Sequence, residues 1–209
     1  MSGLRERKKA ETRTALSWAA IHLTVERGFD NVKVEDIAEA AGVSPRTFNN
    51  YFASKAEAIV SRHLERSRRI AQALRERPAD EPLWQAITAA AMAQFEPGPE
   101  IEAMPMTEPA QWVAGLRVMV AEPALQGEML RAAAIAADEF AAAVADRTGT
   151  DLLRDMYPHL VAAAVTSANN VATQHYLRAD PPVGMDRLLP EALAQFAAGF
   201  AHPLPDTAE

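Results

Sequence analysis

Residues 34–52 read VEDIAEAAGVSPRTFNNYF, and this stretch decides the fold. Apolar side chains fall at Val34, Ile37, Ala38 and Ala41, the spacing of one buried helical face. Gly42 follows, supplying the left-handed backbone that a tight turn needs. Ser44 can then cap a second helix, with Pro45 at its first position, where a missing N–H does no harm. Val43 and Phe48 can lock that helix to the one before it, and Ala38 is small enough for a close crossing. The outer face of the second helix is left with Arg46, Thr47, Asn49 and Asn50. Arginine can bond guanine bidentately and asparagine can do so with adenine, while threonine can meet a base or a thymine methyl. Two short helices joined by a glycine turn, the second carrying base-reading groups, form a helix-turn-helix.

Helices extend on both sides of this motif. A first helix is expected from about Arg5 to Arg27, ended by Gly28. A fourth opens at Ser54, where Ser54 and Glu57 have capping-box spacing, and runs to about Arg77. Pro78 and Pro82 mark the passage into a larger body. Further helices are expected over 81–95, 108–121, 123–147, 158–178 and 185–201. Pro158 is placed at a helix start because it cannot sit in a helix interior. A proline-rich loop follows Phe95. No segment alternates like a strand, so the fold class is all-α. The chain is divided into domains at residues 1–55 and 56–209.

The 209-residue chain carries a formal net charge of −7, which by itself argues against a DNA partner. The distribution reverses that conclusion. Residues 1–75 hold 14 Lys/Arg against 9 Asp/Glu, a net of +5, and the remainder holds a net of −12. A basic module is thus joined to an acidic body, and DNA contact is confined to the basic end. The absence of cysteine excludes disulfides, thiol catalysis and cysteine-ligated zinc. The five histidines show no metal-ligand spacing, and there is no nucleophile elbow, phosphate loop or dinucleotide fingerprint. No enzyme and no cofactor are expected. The charged start lacks the apolar run of a signal peptide, and no apolar run reaches 18 residues. A cytoplasmic location is expected.

Gly28 to Ile59, GFDNVKVEDIAEAAGVSPRTFNNYFASKAEAI, resembles the N-terminal domain of TetR-type regulators. The resemblance covers about residues 8–60 and is carried by AGVSPRTF, then YF, then SK-x-E. It implies a three-helix DNA-binding domain, then a larger helical domain for effector binding and dimerisation. It further implies a homodimer that represses transcription from operator DNA and is released by a small, largely apolar effector. An activator, or a regulator controlled by a protein partner, is the alternative. Carried over residue by residue, Ser44 to Tyr51 is the recognition helix and Lys55 holds a phosphate. Two positions depart from the pattern. Lys33 stands where threonine often precedes the motif, which loses a cap and adds a cation able to reach phosphate. Asn49 stands where tyrosine is frequent, so it can read a base instead. The DNA-contact set is therefore Lys33, Ser44, Pro45, Arg46, Thr47, Asn49, Asn50, Tyr51 and Lys55. Tyr51 can face either the core or a phosphate.

The body is less specific. Phe95, Trp112, Met119, Phe140 and Asn169 are the candidate effector contacts. Methionine and aromatic side chains suit an adaptable apolar pocket, though they also fill ordinary cores. The last two helices are rich in alanine, and the resemblance makes them the dimer interface. No metal site and no membrane partner are expected.

Overall fold

In a computed structural model, residues 2–94, 109–179 and 183–200 are described, with side chains from residue 4 onward except at 109–112. Among the described residues every regular element is helical. The helices are α1 (Ser2–Arg27), α2 (Val34–Ala40), α3 (Pro45–Asn49), α4 (Lys55–Glu76), α5 (Leu83–Met92), α6 (Pro109–Ala121), α7 (Pro123–Thr148), α8 (Tyr157–Arg178) and α9 (Met185–Ala197). A short 3-10 turn, Phe29–Asn31, lies between α1 and α2. The all-α expectation therefore holds. No described helix is long and apolar enough to cross a membrane.

The described chain forms two compact units. The first contains residues 2–65 and 109–133, so it takes in α6 and the start of α7 as well as the helix-turn-helix. Its core is built on Leu16, Ala20, Val32, Ile37, Ala38, Phe48, Phe52 and Ile59, with Met119 and Leu125 from the later helices. Helix α6 lies close against α1 because residue 115 has no side chain. A Cβ there would stand 2.9 Å from the Val25 carbonyl oxygen and closer still to that residue's Cγ1.

The second unit contains residues 66–94, 134–179 and 183–200. Leu74, Ile87, Phe140, Val144, Val161, Leu189 and Leu193 form its core. Helices α8 and α9 pack side by side there, and Ala162, Ala168 and Ala172 are buried among these residues. Much of the alanine in α8 thus serves packing within the chain. Ala163 lies on the opposite, exposed face.

Arg147, near the end of α7, closes one end of this unit. Its guanidinium donates to the carbonyls of Arg77, Pro78 and Glu81 at 3.1, 2.5 and 2.7 Å. These carbonyls lie in the connection between α4 and α5. Beside them Arg77 donates to Glu81, and this hydrogen bond holds the Glu81 carboxyl below its ordinary range and raises Arg77 above its own. Arg147→Ala removes a donor from three carbonyls, of which that of Pro78 still accepts the Glu81 N–H at 3.2 Å. It is expected to lower stability by about 1–3 kcal/mol, read as a lower urea midpoint at constant slope. An unchanged midpoint would mean that water replaces the guanidinium at no cost.

Candidate nucleic-acid interface

The motif is assembled from its glycine outward. Gly42 adopts φ +67°, and its turn is closed by Val43 N–H donating to the Ala38 carbonyl at 2.9 Å. Ile37, Ala38 and Phe48 are fully buried at the crossing of α2 and α3. Phe48 packs at a tilt against Phe52, with centroids 5.7 Å apart. One face of α3 is thereby fixed, and the opposite face must point outward.

Ser44 caps α3 as expected, its Oγ accepting the Thr47 N–H at 3.1 Å. The Thr47 hydroxyl also bonds Ser44 Oγ at 2.9 Å, so Thr47 is half-buried and shares in the cap. Pro45 occupies the first turn. Ser44, Pro45, Arg46, Asn49 and Asn50 are all exposed. Tyr51 is half-buried and packs against the core.

Lys33 is exposed at the cap position of α2. The missing threonine is compensated from the other side, because the Lys33 N–H donates to the Asp36 carboxylate at 2.8 Å. At α4, Ser54 Oγ accepts the Glu57 N–H at 3.0 Å, while the Glu57 carboxylate reaches past Ser54 to the Ala53 N–H at 2.8 Å. Lys55 is half-buried and donates to the carbonyls of Phe29 and Val32.

A brace missed by sequence reasoning sits behind α3. Arg13 on α1 donates to the Tyr51 carbonyl at 3.0 Å and to Glu65 on α4 at 3.1 Å. Its guanidinium also covers the Phe52 ring at 4.3 Å. Below it, the buried hydroxyls of Ser17 and Ser61 bond at 2.7 Å, joining α1 to α4. One signal was available. Arg13 lies on the same helical stripe as Leu16, Ser17 and Ala20, and a charge within a buried stripe calls for an internal partner.

The candidate effector residues are placed separately. Met119 is buried in the core of the first unit and Phe140 in that of the second. Asn169 is half-buried on α8. Phe95 and the Trp112 side chain lie outside the described residues. Among the described residues, no three His, Asp or Glu side chains are grouped to hold a metal ion.

The family description "Bacterial regulatory proteins, tetR family" matches residues 18–59, which include α2, the turn and α3. The description "MftR C-terminal domain" matches residues 81–201, more than half of the chain. The chain belongs to the TetR family of transcriptional regulators. It is 32% identical to the HTH-type transcriptional regulator TcmR of Streptomyces glaucescens, covering 93% of this chain and 90% of that protein. It is 30% identical to MftR of Mycobacterium tuberculosis, named for regulating mycofactocin biosynthesis, with 93% of each covered. Two solved structures share the fold. One is a TetR-family regulator from Rhodococcus sp., with a TM-score of 0.55, 21% identity, and 90% of this chain and 98% of that one covered. The other, from Mesorhizobium loti, has a TM-score of 0.53, 15% identity, and 91% and 96% covered. This TetR-family chain is thus a DNA-binding transcriptional regulator with a helix-turn-helix. Members of the family bind operator DNA, usually as dimers, and are generally not enzymes.

Proposed function

We propose that this protein is a repressor that binds operator DNA as a homodimer and is released by a small, largely apolar effector. The reading is carried by the exposed face of α3. Arg46, Asn49 and Asn50 stand over a buried Phe48 on a helix fixed by a side-chain cap, a glycine turn and the Arg13 brace. Among the described residues none of these three side chains has a protein hydrogen-bond partner, so their donors are available to bases. Ser44 and Pro45 begin this helix, and Thr47 lies half-covered at its start.

The dimer reading is supported by α8. From Tyr157 to Leu177 this helix contains no Asp, Glu, Lys or Arg, yet Leu160 is 62% and Val171 51% exposed. Exposed apolar groups without charges among them suit burial against a second copy. A dimer would present two reading heads to two half-sites on one face of the duplex. Effector release requires that the ligand favour one head arrangement over another. The relatives TcmR and MftR, both named as transcriptional regulators, support the regulatory reading.

The test compares Arg46→Ala and Asn49→Ala on operator and on unrelated duplex, using a site from the gene's own upstream region. Each is expected to weaken operator binding by roughly 1–3 kcal/mol, about 5- to 150-fold, with a smaller loss on unrelated DNA. Equal loss on both would remove these residues from base reading and leave them as backbone contacts.

A further inference from the structure

The Arg13 brace brings an acid into a basic head. Glu65 lies on α4, half-buried, and both of its carboxylate oxygens are engaged. One accepts the Arg13 Nε–H at 3.1 Å, and the other accepts an N–H from Arg62 Nη1 at 3.0 Å. On charge alone an acid is unfavourable in a module that binds a polyanion. The contacts of Arg13 show what Glu65 supplies in return.

A guanidinium is planar and rigid, so a bond that fixes Nε also fixes the direction of the other nitrogens. Arg13 Nη1 donates to the Tyr51 carbonyl at 3.0 Å, where the chain has just left α3. The same guanidinium lies 4.3 Å over the Phe52 ring, and Phe52 packs on Phe48, the buried side chain of α3. Arg13 thus grips α3 from two sides, through the chain beyond its end and through the aromatic pair beneath it. Arg13 is itself only half-buried. Without a partner on α4, its long side chain gains rotamer freedom by swinging into solvent. Glu65 holds it in place. Arg62 holds Glu65 in turn, and lies 5.2 Å over the Trp18 ring of α1.

We infer that Glu65 is a positioning residue of the DNA-reading head: an acid on α4 that strengthens operator reading by aiming Arg13 at the chain leaving α3. This rests on the DNA reading proposed above and makes the pose of α3 depend on α4. Glu65→Met keeps the stem of the side chain and removes both acceptor oxygens with their charge. Charge alone predicts tighter binding of every duplex, because the head becomes more basic. The positioning role predicts the opposite sign on a labelled duplex from the gene's own upstream region. Binding there should weaken by roughly 5- to 50-fold, while a duplex of equal length and unrelated sequence is bound as well as before or better. Unchanged or tighter binding of the upstream duplex would overturn the inference, and so would an equal loss on both.

A second arm uses Arg13→Met as the background. Glu65 then has nothing left to aim, so Glu65→Met should change the upstream affinity by less than about twofold. A loss as large as in the unaltered protein would overturn the inference. Hydrogen exchange of the DNA-free protein reads the same pose directly. Amides of residues 47–52 should exchange at least about 5-fold faster in Glu65→Met and in Arg13→Met, with those of α8 unchanged. Unchanged exchange over 47–52 would also overturn it. Should Glu65→Met not fold, Glu65→Asp takes its place with the same expected losses, since it keeps the charge and withdraws the carboxylate by one methylene. If the unaltered protein binds neither duplex, the DNA reading fails, while the exchange rates still decide whether Glu65 holds α3 through Arg13.

Discussion

Phe48→Ala is expected to abolish operator binding while leaving the second unit folded. Phe48 is completely buried, and it joins α3 to α2 and to Phe52. Truncating a buried phenylalanine costs about 3–5 kcal/mol, and whole domains are stable by only ~5–15 kcal/mol. No other side chain holds α3 from within, since the helix has five residues and its other faces are exposed or capping. The melting temperature of the first unit should fall by roughly 10 °C or more. The core of the second unit, built on Leu74, Ile87, Val144 and Leu193, contains none of the altered contacts. Self-association measured by sedimentation should therefore survive. Wild-type melting with wild-type DNA affinity would show that α3 is not pinned through Phe48.

The second large effect is expected at Leu160→Glu. Leu160 is 62% exposed on the uncharged face of α8, and Val161 beside it is buried in the core. The substitution therefore spares the fold of a single chain. In a dimer that buries this face, the change places two carboxylates in an apolar interface with no Lys or Arg on the helix before Arg178. An unpaired buried charge costs several kcal/mol. The dimer dissociation constant should rise at least about 100-fold, because ~1.4 kcal/mol corresponds to tenfold. Sedimentation at micromolar concentration should show monomer with an unchanged helical spectrum. A dimer of undiminished strength would place the interface on another surface.

Much of the head was legible in the sequence because its signals are local. Gly42, Ser44 and Pro45 act within a few residues of themselves, and α2 and α3 lie where these residues put them. Pro158 likewise falls in the first turn of its helix, and Gly28 directly follows α1. Helix ends without such punctuation moved. Helix α1 begins at Ser2, before the expected Arg5, and α9 stops at Ala197. Both ends carry residues with weak stop signals, where fraying and packing set the boundary.

What was not legible depends on residues distant in sequence. Arg13 meets Tyr51 and Glu65 across 38 and 52 residues. Lys55 meets Phe29 and Val32 across 26 and 23. A motif identifies a lysine at the start of α4, but only the folded chain reveals which acceptors lie within its reach. The alanines of α8 give a similar lesson. Their small size signals close helix approach, yet Ala168 and Ala172 turn inward while Leu160 and Val171 turn outward. Composition alone does not distinguish those two faces.

An acidic chain with a basic head is expected to read duplex DNA as a pair. Sedimentation of the protein with a labelled duplex from its own upstream region tests this most directly, at low salt and again at higher salt. Two protomers per duplex are predicted, with an affinity that falls steeply as salt rises. Absence of any complex at low salt would rule out DNA reading by this head.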